Sequence, residues 1–257
     1  MKFPVVFVGH GSPMYVIEPN EFTPGWEAVG ASLPRPKAIL MVSAHWYTKG
    51  TRVLTNPQPR TIYDFYGFPK ALYEVRYPAP GAVALAEQIT RLLDVPVTED
   101  PDYGFDHGAW SVLRSMFPGA DIPVTQLSID ATLPAKKHLQ LGRQLRSLRE
   151  QDVLIVGSGN IVHNLRMVED LPGGFDWAYA FDSYIKNCIL DGRFADAASY
   201  SAAGDSAKYA VPTPDHFFPL MYVLGAAEEE DAVQVFNESC VMGSLSMTSY
   251  LFQAKKR

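Results

Sequence analysis

Cysteine is nearly missing from this sequence: its 257 residues hold only Cys188 and Cys240. Two thiols are too few for a disulfide framework or for a zinc site of four thiolates. They fit a reducing compartment, and the expected address is cytoplasmic. Long apolar runs are lacking as well. Uncharged stretches such as Ala38 to Val42 stop far short of the roughly 20 residues a membrane helix needs, which excludes a membrane-spanning helix and argues against a membrane partner. The segment Met1-Lys2-Phe3-Pro4-Val5-Val6 reads as a short strand, without the basic, apolar and small-residue regions of a secretory leader. Positive charge is in deficit, with 22 Lys and Arg against 28 Asp and Glu for a net charge of -6. The basic residues cluster only at Lys255-Lys256-Arg257, read as a solvated end. No nucleic acid is expected as a partner, since gripping a phosphate backbone calls for a concentrated patch of Lys and Arg.

Several short fingerprints are missing too. There is no His-Glu-x-x-His helix and no Cys-x-x-Cys pair. Gly157-Ser158-Gly159 follows an apolar run, but Val162 stands where a dinucleotide-binding turn needs its third glycine. Gly9-His10-Gly11-Ser12-Pro13 has the wrong order for a nucleophile elbow. Neither cysteine carries a nucleophile signature, so both are read as packed thiols.

What remains is an ordinary globular composition, 47% apolar, 19% charged and 12% aromatic. Apolar, β-branched runs at Val5 to Val8, Ala38 to Ser43, Pro123 to Leu127 and Val153 to Val156 read as strands covered on both faces. Between and after them lie helical patterns at Gly81 to Leu93, Ala135 to Glu150, Phe181 to Leu190 and His216 to Leu224. Strand and helix in alternation predict an α/β fold, a mostly parallel central sheet with helices on both faces, in one domain over 1–257. Asn56 to Pro80 is rich in both proline and aromatic residues, so it reads as a long ordered loop packed on the body and not as a linker.

The six histidines carry the chemistry. His10 follows Val5-Val6-Phe7-Val8-Gly9, His45 follows Ile39-Leu40-Met41-Val42-Ser43-Ala44, and His163 lies just past Leu154-Ile155-Val156-Gly157-Ser158-Gly159-Asn160. All three sit at or shortly beyond the C-terminal ends of strands, the edge at which open α/β sheets bind ligands. Core packing does not ask for imidazole at three strand ends. His107 and His216 occur where loops enter predicted helices, whereas His138, among Lys136, Lys137 and Arg143, reads as a solvated surface residue. Converging neutral imidazoles suit one divalent metal such as Zn(II) or Fe(II). Asp64, Asp106 and Asp215 could bind metal or support a ligand, though Asp106 and Asp215 could equally cap the helices that follow.

Taken in order, the segments Gly9-His10-Gly11-Ser12-Pro13-Met14, Ser43-Ala44-His45-Trp46, Tyr63-Asp64-Phe65-Tyr66-Gly67-Phe68-Pro69 and Gly104-Phe105-Asp106-His107-Gly108-Ala109-Trp110 resemble the 4,5-DOPA extradiol dioxygenase family. Gly157-Ser158-Gly159-Asn160-Ile161-Val162-His163-Asn164-Leu165 and Thr213-Pro214-Asp215-His216 continue the match. This is a branch of the class III extradiol dioxygenases, related to the catalytic subunit of protocatechuate 4,5-dioxygenase. The resemblance implies a catechol-type, DOPA-like substrate whose ring is opened next to its diol with O2 and non-haem Fe(II). It implies His10, His45 and His216 as metal ligands, with His163 as acid/base and as a fourth ligand when zinc is bound. His107 is implied as a further catalytic histidine near substrate or oxygen. Ser12, Tyr15 and Trp46, beside these ligands in sequence, are expected to contact substrate. The wider class commonly uses two His and one Glu, so three imidazoles leave the resting metal open between Fe(II) and Zn(II). A zinc hydrolase on the same histidines and a non-catalytic metal-binding module are the competing readings, and the chain is expected to be a monomer or homodimer.

Overall fold

The computed structural model describes residues 2–255. Six strands form its central sheet: β1 (Val5–Gly9), β2 (Ala38–Ser43), β3 (Val124–Gln126), β4 (Val153–Gly159), β5 (Ala232–Phe236) and β6 (Ser249–Gln253). Their spatial order is β3-β2-β4-β1-β6-β5. The first four run parallel, while β6 is antiparallel to both of its neighbours. The fold is thus α/β with a mostly parallel sheet, and the four expected strands all form. The antiparallel pair β5 and β6 was not anticipated.

Every residue of β1 and β4 is buried, as sheets covered on both faces require. Alternation along the strand sends side chains to opposite layers. Val5 and Phe7 face helices α2 (Val83–Leu92), α4 (Ala135–Leu145), α5 (Asp176–Leu190) and α6 (Phe218–Ala226). Val6 and Val8 face α1 (Thr23–Ser32) and α3 (His107–Met116). The sequence of α6, Phe-Pro-Leu-Met-Tyr-Val-Leu-Gly-Ala, is apolar all round because it lies between α4 and the sheet. The helix expected over Ala135 to Glu150 stops at Leu145, and a 3-10 stretch, Arg146–Gln151, leads into β4.

His138 is not on the surface. It is fully buried on the inner face of α4, with Ala135, Leu139, Gly142 and Leu145. The loop from Asn56 to Pro80 is ordered and packed on the body. Trp110 of α3 donates its indole N–H to Ile62 O at 2.9 Å, and Tyr63 donates its hydroxyl to Val75 O at 2.6 Å. Cys188 and Cys240 are buried free thiols. Among the described residues no helix is long and apolar enough to cross a membrane, and Lys256 and Arg257 of the basic cluster lie outside them.

Candidate metal centre and cavity

Parallel strands end on one edge, and that edge gathers the histidines. His10 leaves β1 directly, and its N–H bonds Gly159 O at 3.0 Å, at the end of β4. His45 lies two residues past β2, where the Ser43 hydroxyl accepts its N–H at 3.3 Å. His163 follows β4 and is tied through its backbone to Ala210 O at 2.9 Å. His107 opens α3, whose N-cap is Asp106. His216 precedes α6, and its carbonyl accepts from Asn160 N–H at 2.9 Å.

Two glycines make this convergence possible. A Cβ on Gly159 would stand 2.1 Å from His216 O, and one on Gly108 would stand 2.6 Å from Ser43 Oγ and 2.8 Å from a carbon of the His45 ring. No larger residue fits while the imidazoles keep their places.

His10, His45 and His216 form an almost equilateral triangle, with ring centroids 5.0, 5.0 and 5.3 Å apart. One ring nitrogen from each lies within 4.8 Å of the others. His163 stacks face to face on His216 at 3.4 Å, and His107 lies 3.8 Å from His45 and 5.7 Å from His10. Burial, followed by repulsion from neighbouring imidazoles, holds His10 and His216 well below the ordinary imidazole range. Burial pushes His45 down to about 3 and His163 down to about 4. At neutral pH all four are therefore uncharged, the form that binds metal.

The hydrogen bonds orient those lone pairs. Ser158 donates its hydroxyl to Gly108 O at 2.6 Å, so toward His10 Nδ1, 3.0 Å away, it accepts. The proton of His10 is thereby assigned to Nδ1 and its lone pair to Nε2. Asp215 accepts from His216 Nδ1 in the same way. Imidazoles with one nitrogen anchored by a protein acceptor and the other free are the usual ligands of a catalytic metal. His10 Nε2 and His45 Nε2 are 3.1 Å apart. Two ligands each about 2.1 Å from a shared ion, at angles between octahedral and tetrahedral, lie about 3.0–3.4 Å apart. The donor set fits a divalent first-row cation.

A cavity of about 520 Å³ opens over these rings. Phe65 and Phe68 wall one part of it, Leu165, Val168, Met242 and Leu245 another, with Ser12 and Pro13 beside His10. Of the expected substrate contacts, Ser12 lines this space. Trp46 instead stacks on Tyr103 at 4.1 Å and is buried, and Tyr15 packs against Phe22 and Trp26 in the layer beneath. Both leave the cavity to residues from the aromatic loop and from the segments after β4 and before β6. Asp106 is buried behind the site, where it accepts from Ser43, Gln126 and Tyr103 as well as capping α3. Burial raises its pKa.

A histidine cluster under an apolar cavity, at the strand ends of an α/β sheet, is the arrangement of a metal-dependent enzyme. Residues 5–253 match the family described as the catalytic LigB subunit of aromatic ring-opening dioxygenase, which sets the class. The chain is 46% identical over 254 residues to the 4,5-DOPA dioxygenase extradiol of Escherichia coli (strain K12), covering 96% of this chain and 94% of that protein. It is 38% identical over 255 residues to the protein of the same name from Beta vulgaris, covering 96% and 95%. The crystal structure of an uncharacterized protein from Escherichia coli K12 matches with a TM-score of 0.85 at 42% identity, over 97% of this chain and 99% of that one. This chain belongs to the 4,5-DOPA extradiol dioxygenase family within the LigB class.

Proposed function

We propose that the protein opens the ring of a catechol-type, DOPA-like substrate beside its two hydroxyls, using O2 and a divalent metal held by His10, His45 and His216. The observation that carries this reading is the triangle of neutral imidazoles at the floor of the cavity. Bound Fe(II) supplies the redox chemistry with O2, whereas Zn(II), which has none, supports binding alone. His163, neutral and stacked on His216, accepts a hydroxyl proton from the catechol at a ring nitrogen and returns it later in the reaction. Phe65 and Phe68 bracket a flat ring, and Leu165, Val168 and Leu245 keep water from it. Ser12, at the mouth beside His10, offers a hydroxyl to substrate. The names of the relatives favour DOPA as the first substrate to try.

The test begins with anaerobic reconstitution with Fe(II), then addition of DOPA or caffeate and air, while O2 uptake and the yellow ring-opened product are followed. Replacing His163 with Ala should lower kcat by about 10²–10⁴, the usual worth of a general acid/base, with Fe(II) content unchanged. His10→Ala should lose the metal. An iron-loaded wild type that consumes no O2 with any catechol sinks the proposal. Metal loss in the His163 variant would make His163 a ligand.

A further inference from the structure

Asp64 belongs to the aromatic loop and not to the histidine triangle, yet its one carboxylate meets two site imidazoles. Oδ1 accepts the backbone N–H of His107 at 2.8 Å. Oδ2 lies 2.9 Å from His107 Nδ1 and 3.3 Å from His45 Nδ1. An ionised carboxylate only accepts hydrogen bonds, so each Nδ1 that faces it carries the proton. A neutral imidazole protonated at Nδ1 keeps its lone pair at Nε2. For His45 that is the atom 3.1 Å from His10 Nε2, across the ring from Asp64.

We propose that Asp64 is a positioning residue that sets the tautomer of His45, so that His45 presents an unprotonated Nε2 to the metal, while the same carboxylate anchors the His107 ring through its Nδ1. Without it, His45 is free to keep its proton on Nε2 and donate to His10. The site would then close on an internal hydrogen bond where a pair of ligands is needed. The same loop carries Phe65 and Phe68, so the carboxylate also holds the aromatic wall in register with a metal ligand. Asp64 could group with His45 and His107 as a ligand in its own right, but it reaches His45 through the nitrogen turned away from His10. The inference rests on His45 being a ligand, and it is tested by a measurement that needs no metal.

The full chain is prepared metal-free as wild type, Asp64→Asn and Asp64→Glu, and imidazole ¹⁵N shifts are recorded by NMR. His45 should be Nδ1–H in wild type and in Asp64→Glu. It should shift to Nε2–H in Asp64→Asn, whose amide can donate to Nδ1. Zn(II) affinity, read by competition with a chromogenic chelator, should fall about 10- to 100-fold in Asp64→Asn, the usual cost of losing the group that orients a ligand. Three results overturn the proposal: Nε2–H at His45 in wild type, an unchanged His45 tautomer in a folded Asp64→Asn, or a second equivalent of Zn(II) that vanishes in Asp64→Asn and makes Asp64 a ligand. If Asp64→Asn does not fold, the wild-type tautomer decides. A wild type with the expected tautomer that binds no metal sinks the proposed function and leaves the tautomer result standing.

Discussion

The His138 imidazole is sealed between α4 and α6, with Nδ1 3.0 Å from the Tyr222 hydroxyl and its ring 4.5 Å from that of Phe218. Burial lowers its pKa to about 4. Between that value and the ordinary value of about 6.5, the unfolded chain binds a proton at this residue and the folded chain does not. Its contribution to stability is therefore complete above about pH 6.5 and is lost as the pH falls toward 4, by up to about 3 kcal/mol. His138→Phe should lower the urea midpoint at pH 7, because the buried Tyr222 hydroxyl loses its partner, yet lose less than wild type between pH 7 and pH 5. Equal acid losses in the two proteins would refute this. The neighbours Lys136 and Lys137 made His138 look solvated. The spacing Ala135, His138, Leu139, Gly142, Leu145 was the better guide, since it is one helical face.

Elements deliver the histidines, and the end of β4 sets how closely two of them approach. Gly159→Ala would force its new methyl group against His216 O. The expected cost is about 1–3 kcal/mol for overpacking, together with weaker Zn(II) binding as His216 is displaced. Thermal unfolding and chelator competition read the two effects, and unaltered affinity would place His216 outside the metal site. Where an apolar run ended in or near a histidine, the sequence located both the strand and the side chain, because a strand covered on both faces has few places to expose imidazole. β5 left a weaker trace: as a sheet-edge strand it is partly exposed along Ala-Val-Gln-Val-Phe. β6, Ser-Tyr-Leu-Phe-Gln, has polar ends and lies outside the strand-helix alternation. The rest of the apolar cavity lining was illegible for another reason. Leu165, Val168, Met242 and Leu245 meet only through tertiary packing, and no local pattern marks them.

Across the whole molecule, one ion pair joins distant segments without touching the cavity. Arg149 is fully buried, meets Asp231 at 2.8 Å, and donates to Phe3 O at 2.6 Å and Ala226 O at 3.1 Å. It thereby links the residues before β1, the 3-10 stretch before β4 and the end of α6. Asp231→Ala should cost about 3–5 kcal/mol, the penalty of stranding a buried charge. Arg149→Met with Asp231→Leu should recover much of that loss. Denaturant titration measures both, and a loss below about 1 kcal/mol would show that water reaches the guanidinium. Zn(II) affinity in either folded variant should match wild type.

The strand that bears His10 has a split origin. β1 pairs on one flank with β4 and on the other with β6, from the far end of the described sequence, with Val5 opposite Phe252 and Phe7 opposite Tyr250. A chain without residues 249–253 would therefore hold that strand on one side only. Removing those residues should accordingly loosen the approach to His10, although they lie outside the cavity lining.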